Sequence, residues 1–348
     1  MRHYKEHLIP SGTTIRESLK VLDKLASDAI SFVVDKDDKL IGSLTDGDVR
    51  RGLIRGAELE QAVDEIIQSD PKYLRKGDHD IEKVIKYRDK NYRIIPILDK
   101  NDHVVNVINF GYLKSYLPID VVIMAGGKGT RLRPLTEDTP KPLLQVGEKP
   151  ILEHNIDRLT LFGMDDYWIS VNYLGEQIEE HFGNGKGKNL HIQYIWENEP
   201  LGTIGSVSKI DNFIHNHVLV TNSDILTNLD YEDFFLRFLE EKADFAVVTI
   251  PYKVDVPYAV LETSNGHVMS FKEKPTYTYY SNGGIYLMKK EITEQIPKNS
   301  FYDTTDLMED LISEGKKVLS YPLSGYWLDI GKHEDFEKAQ KDIHTIKF

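Results

Sequence analysis

Residues 124–144, MAGGKGTRLRPLTEDTPKPLL, place three glycines, two arginines, two lysines and three prolines in one short stretch. Glycines at 126, 127 and 129 let backbone N–H groups approach a polyphosphate where any Cβ would collide. Arg131 offers a planar fork for β- and γ-phosphate oxygens. Lys141 is a compact charge that can follow an α-phosphate as its charge redistributes, and Pro140 and Pro142 stiffen the backbone around it. The stretch fits neither common phosphate motif. A P-loop needs Gly-Lys-Ser/Thr, but Lys128 is followed by Gly129-Thr130-Arg131; a dinucleotide fingerprint needs a third glycine where Leu132 stands.

Carboxylates supply the opposite charge. Asp224 closes the apolar run His217-Val-Leu-Val-Thr-Asn-Ser, and Asp329 sits in Trp327-Leu-Asp-Ile-Gly331. Magnesium takes oxygen ligands, commonly one or two carboxylates plus substrate phosphates. Asp224 taken alone fits a helix N-cap or turn equally well. Glu197, in Glu-Asn-Glu-Pro-Leu-Gly202-Thr203-Ile-Gly205, offers a carboxylate that can accept two hydrogen bonds from a pair of N–H donors, where a glutamine would donate one and accept one. An exposed acidic loop is the bland alternative for that segment. Other groups read as structural: Asp35-Lys-Asp-Asp38 as a hairpin turn, and His215-Asn-His217 as surface.

The glycine stretch follows Val121-Val-Ile-Met124, an apolar strand pattern, and precedes the helical spacing Ile151, Leu152, Ile156, Leu159. From Pro118 onward strands and helices alternate, which predicts a mostly parallel sheet with helices on both faces and ligands beyond its carboxyl ends. Before it, Ile30-Ser-Phe-Val-Val-Asp35 aligns without a gap on Ile94-Ile-Pro-Ile-Leu-Asp99, and Thr14–Lys24 aligns on Asp80–Lys90. Each copy reads as helix, strand, polar turn and strand, so two copies predict one pseudo-symmetric module. At 348 residues two domains are expected, 1–117 and 118–348, with Leu117-Pro118 as the boundary. The chain has no cysteine and a net charge of -13. These exclude thiol chemistry and argue against a nucleic-acid partner. The first residues lack an apolar signal core, and no apolar run approaches membrane-spanning length, so a cytoplasmic protein without a membrane partner is expected.

Gly126 through Leu135-Thr136, with Pro140-Lys-Pro-Leu143, resembles the signature of the sugar-1-phosphate nucleotidyltransferases. The resemblance implies a Rossmann-like, mixed and mostly parallel α/β sheet. It implies Arg131 and Lys141 as catalytic cations, and Ala125, Gly126, Gly127, Gly129, Thr130, Glu197, Gly202 and Thr203 as nucleotide contacts. It implies Asp224 and Asp329 as Mg2+ ligands, and Tyr258, Glu273, Lys274, Asn282 and Gly283 as the sugar-phosphate site. Tyr258-Ala259 departs from the family's Tyr-Gly, so its sugar preference transfers poorly. The 197–205 segment is most similar to guanylyltransferases, which implies GTP. The N-terminal repeat resembles an α+β tandem CBS pair, with Thr45 and Asp48 of Gly42-Ser-Leu-Thr-Asp-Gly-Asp implied as contacts for one adenine nucleotide; Asn106, Asn109 and Tyr112 occupy the matching places in the second copy. Members with this fusion resemble guanylyltransferases that activate amino sugars, glucosamine above all, for legionaminic acid pathways. Mannose or heptose 1-phosphate with GTP, glucose 1-phosphate with UTP or dTTP, a non-catalytic nucleotide sensor and a homo-oligomer all stay open.

Overall fold

The computed structural model describes residues 3–346. The first repeat runs β1 (Leu8–Pro10), α1 (Ile15–Leu25), β2 (Ile30–Val34), β3 (Leu40–Thr45) and α2 (Asp46–Ile54). The second runs β4 (Leu74–Arg75), α3 (Ile81–Asp89), β5 (Ile94–Leu98) and β6 (Val104–Asn109). In both, the first strand pairs parallel with the second and the second antiparallel with the third, with a register break at Val33/Val34 and at Ile97/Leu98. The turns match as well. Asp35 Oδ1 accepts from the N–H of Asp37 and Lys39, as Asp99 Oδ1 does from Asn101 and His103. The hairpin-turn reading of Asp35 therefore holds in both copies. Phe32 and Val34 of β2 pack with Leu98, Val104 and Val107 to join the two sheets.

The rest of the chain is built on β7 (Ile119–Met124), the short hairpin of β8 (Gln145–Val146) and β9 (Lys149–Pro150), α4 (Ile151–Thr160), β10 (Asp166–Val171), α5 (Gly175–Phe182) and β11 (His191–Trp196). There follow β12 (His217–Asn222), β13 (Ile225–Thr227), α6 (Tyr231–Glu240), β14 (Phe245–Asp255), β15 (Val260–Ser264), β16 (His267–Lys272) and β17 (Thr276–Lys289). The last elements are α7 (Thr304–Ser313), β18 (Val318–Pro322), β19 (Trp327–Asp329) and α8 (His333–Asp342).

Seven strands form the central sheet in the order β11-β10-β7-β12-β17-β14-β18, and only β17 runs against the others. The mixed, mostly parallel sheet agrees with the sequence reading. Strands of such a sheet are buried on both faces, and β7 shows it: Val121 and Ile123 join one apolar cluster while Val122 joins the other. The first of these clusters also contains Leu74, Ile81, Val84, Ile95 and Ile97, so the second repeat and the sheet share one core across Leu117-Pro118. The first repeat keeps its own core around Ile15, Leu22 and Leu44.

That shared core is crossed by a polar knot at the amino ends of β7 and β10. Lys76 Nζ lies 2.9 Å from Asp166 and 3.7 Å from Asp165, and Asn106 Nδ2 donates to Asp165 at 2.9 Å. The imidazoles of His191 and His215 stand 3.5 and 3.6 Å from Asp166. His215, expected at the surface, is only 2% exposed. Its backbone N–H donates to Asp120 at 2.8 Å, which draws the segment inward. Its lack of nearby partners in sequence gave no sign of this, because Asp120 and Asp166 lie 95 and 49 positions earlier.

Candidate active site

Strand order reverses between β7 and β12, and such a switch point opens a crevice at the carboxyl ends of the strands. The glycine-rich loop leaves β7 there, and Asn222-Ser223-Asp224 leaves β12 beside it. Together they line a cavity of about 280 Å³ with Ala125, Gly127, Gly129, Thr130, Arg131 and Lys141. Gly129 has φ of +59°, and a Cβ there would stand 3.1 Å from both Lys141 and Thr136. Glycine is what lets the loop fold back against Lys141.

Lys141 is nearly buried, and its ammonium donates to Asp224 Oδ2. Asp224 and Asp329 are brought together by β13 and β19, whose antiparallel register sets Ile225 opposite Asp329. The N–H of Ile330 donates to the Asp224 carbonyl at 3.0 Å. Arg131 packs on Gly331, where a Cβ would meet its guanidinium at 3.3 Å. Burial, reinforced by the neighbouring Asp224 charge, pushes the Asp329 carboxyl up to about 6 against the pull of Lys141 and Arg131. One oxygen of each carboxylate, Oδ1 in both, is buried without a hydrogen-bond partner. Two adjacent carboxylates with unmet acceptors and mutual repulsion fit a divalent cation with oxygen preference.

Glu197 follows β11 and is buried behind the loop, and a Cβ on Gly126 would stand 3.3 Å from its Oε1. Ser170 donates to Oε1, and the N–H of Leu201 donates to Oε2 at 3.3 Å. Gly202 has φ of +78°, with the Tyr302 carbonyl 2.5 Å from the place of a Cβ. The N–H of Thr203 donates to Asp303 at 2.9 Å, so these two residues clamp the segment to the start of α7. Asn282 and Gly283 lie where β17 enters the central sheet; Trp327 Nε1, two residues before Asp329 on β19, donates to the Gly283 carbonyl at 2.9 Å.

Tyr258, Glu273 and Lys274 are placed differently. All three lie on the exposed ribbon formed by β14 to β17, and none lines the cavity. The structure thus brings together the loop, both cations, both aspartates and Glu197, while these three remain apart. Asn222 and Ser223 also line the cavity, although the sequence pattern marks their strand and not their side chains. Their signal is position: Asn222 ends β12, and Ser223 is the single residue between that strand and Asp224.

Thr45 and Asp48 form a capping box at the start of α2, Thr45 Oγ1 donating to Asp48 Oδ2 at 2.6 Å. Arg51 at 2.6 Å and Gln68 at 3.1 Å donate to the other oxygen. Against the opposing effect of burial, these hydrogen bonds hold the carboxyl below its ordinary range. A second group that could hold a cation, Asp120, Asp166 and His215, offers ligand atoms within 4.8 Å of one another. It is at the amino end of the sheet, where the Lys76 ammonium already supplies positive charge.

A nucleotidyl transferase family model matches residues 120–346, and a CBS domain model matches residues 5–55. A D-glycero-alpha-D-manno-heptose 1-phosphate guanylyltransferase of Aneurinibacillus thermoaerophilus is 32% identical over 65% of this chain and 98% of its own length. A mannose-1-phosphate guanylyltransferase of Mycobacterium tuberculosis is 30% identical over 65% of this chain, which spans 64% of that relative. A Bacillus anthracis crystal structure, assigned provisionally as a glucose-1-phosphate thymidylyltransferase, shares the fold with a TM-score of 0.54 at 24% identity, over 66% of this chain and 97% of that one. No helix among the described residues is long and apolar enough to cross a membrane.

Proposed function

Because the chain belongs to the nucleotidyl transferase family of sugar-1-phosphate nucleotidyltransferases, we propose that it transfers a guanylyl group from GTP to a sugar 1-phosphate, glucosamine 1-phosphate foremost, in a pathway of the legionaminic acid type. The observation that carries the reading is the convergence of Arg131, Lys141, Asp224 and Asp329 on one crevice. In this reading 118–348 is the catalytic domain and 1–117 the regulatory one. The loop N–H groups from Gly126 to Thr130 cradle the triphosphate, with the Ala125 N–H already given to the Ser170 carbonyl at 2.9 Å and its backbone anchoring the loop, and Arg131 grips the β- and γ-phosphates. The sugar phosphate, already anionic near neutrality, attacks the α-phosphorus in line, and pyrophosphate leaves on the opposite side. Lys141 follows the charge as it redistributes. Alignment and charge neutralisation then supply the rate, with no covalent enzyme intermediate.

Mg2+ held by Asp224 and Asp329 would neutralise phosphate charge during transfer. Glu197 reads the guanine edge, and Asn282 and Gly283 at the base of β17 receive the sugar phosphate; Tyr258, Glu273 and Lys274, which stand apart on the exposed ribbon, would have to move toward the crevice to join them. An adenine nucleotide at Thr45 and Asp48 is the proposed regulator; its ribose must displace Arg51 and Gln68 from Asp48. Pyrophosphate release measured with GTP, ATP, UTP and dTTP against a panel of sugar 1-phosphates tests the assignment. GTP is expected to be preferred, and Glu197→Gln to narrow the preference. A wild-type preference for UTP or dTTP would overturn the guanylyl assignment.

A further inference from the structure

Position 170 sets a hydroxyl inside an apolar strand. β10 is buried along its whole length, with Trp168 and Ile169 in the two apolar clusters on either side of the sheet, and Ser170 is itself fully buried. A strand covered on both faces normally carries a β-branched apolar residue at such a place, and a buried hydroxyl calls for a partner. Both polar ends of Ser170 are used. Its carbonyl accepts from the N–H of Ala125 at 2.9 Å, at the root of the glycine-rich loop, and its hydroxyl donates to Oε1 of Glu197. The next two residues complete the hold. The Val171 carbonyl accepts from the Glu197 N–H at 2.9 Å, and Asn172 Nδ2 donates to the Glu197 carbonyl at 2.7 Å. Three consecutive residues at the end of β10 thus fix both the backbone and the carboxylate of Glu197, and Ser170 ties that carboxylate to the loop.

We propose that Ser170 is a positioning residue for base selection, an inference that rests on the guanylyl reading above. It holds the Glu197 carboxylate in one orientation beside the triphosphate loop, so that a base with two adjacent N–H donors is the one matched. Lone pairs carry the argument. A carboxylate has about four acceptor sites, two on each oxygen. Ser170 takes one on Oε1, and the N–H of Leu201, at 3.3 Å, takes one on Oε2. One site is left on each oxygen, and guanine offers N1–H and N2–H side by side to fill them. Uracil and thymine flank a single N–H with carbonyls, so one carboxylate oxygen would face a carbonyl oxygen. Without the serine hydroxyl, Oε1 regains its second site and the carboxylate can turn about its last torsion, which is intrinsically broad. Place matters as much as count. Oε1 lies against the loop, 3.3 Å from where a Cβ on Gly126 would stand, so a turned carboxylate is misplaced for a base whose triphosphate the same loop holds.

Calorimetric titration of the full chain with GTP, ITP and UTP in the presence of Mg2+, without sugar phosphate, tests the proposal independently of turnover. ITP lacks only the N2 amine of GTP, so it reports one of the two hydrogen bonds. The wild type is expected to bind GTP about tenfold more tightly than ITP, as one hydrogen bond to a charged group implies. In Ser170→Ala, GTP should weaken about tenfold and the GTP:ITP ratio should narrow toward one, a ratio that does not depend on how much of the variant is folded. Ser170→Cys, which keeps the packing and offers only a weak S–H donor, should show the same narrowing. In turnover the loss should fall on the KM for GTP, not on kcat or the KM for the sugar 1-phosphate. Variants that weaken GTP, ITP and UTP equally refute the proposal and leave Ser170 a packing residue. A wild type that binds ITP as well as GTP refutes the two-donor match while the guanylyl reading stands. A wild type that binds UTP in preference to GTP overturns that reading and this inference with it.

Discussion

Replacing Lys76 by methionine removes one charge from the knot joining the second repeat to the sheet and keeps the length of the side chain. The ammonium stands 2.9 Å from Asp166, whose side chain is fully buried, and 3.7 Å from Asp165. Burial disfavours the ammonium, but the two aspartates outweigh this and hold its pKa above the usual lysine value. Breaking a buried pair by removing one partner typically costs about 3–5 kcal/mol, because the remaining charge is left uncompensated. His191 and His215 remain near Asp166 and can take up part of that charge, so the lower end, about 3 kcal/mol, is expected. Urea unfolding at pH 7 measures the loss, and adding Asp166→Asn should recover part of it. A loss below about 1 kcal/mol for Lys76→Met would refute the idea that this pair ties the second repeat to the sheet.

Three further outcomes follow from the same geometry. Burial, with His215 nearby, depresses His79 from 6.5 to about 4, while its Nε2 bonds the Tyr116 carbonyl at 3.0 Å. Its contribution is whole above pH 6.5 and lost as pH falls toward 4, reaching about 2 kcal/mol at pH 5; an NMR titration placing His79 near 6.5 would contradict this. Lys141→Ala should lower kcat by about 10²–10³, and near-normal turnover would remove Lys141 from the chemistry. Asp329→Asn relieves the repulsion with Asp224, so its metal-free melting temperature should hold or rise while activity falls and partly returns at high Mg2+; activity surviving excess EDTA would argue against a metal.

The sheet and the internal repeat were legible because both rest on local pattern: β7 and β12 are apolar runs, and the repeat aligns without a gap. The loop was legible because Gly126, Gly127, Gly129, Arg131 and Lys141 lie within sixteen residues. What escaped reading depends on distant partners. His215 is drawn inside by Asp120, and Leu74 and Ile81 share a core with β7 that no sequence spacing announces. Thr45 and Asp48 fit two physical roles at the same spacing, a ligand site and a capping box, and only the reciprocal bonds between the Thr45 hydroxyl and N–H and the Asp48 carboxylate and N–H reveal the second. The ribbon of β14 to β17 reads as ordinary alternating strands. Its exposure emerges only when its neighbours in the sheet are seen to stop short of it.

The central claim is nucleotidyl transfer at the crevice between β7 and β12. Incubating the chain with GTP, glucosamine 1-phosphate and Mg2+, and quantifying products by mass spectrometry, tests it most directly. The account predicts one GDP-sugar and one pyrophosphate for each sugar phosphate consumed, with both products falling together in Lys141→Ala. Nucleotide binding without any nucleoside diphosphate sugar, across every nucleoside triphosphate and sugar 1-phosphate in the panel, would contradict it and leave a nucleotide sensor in its place.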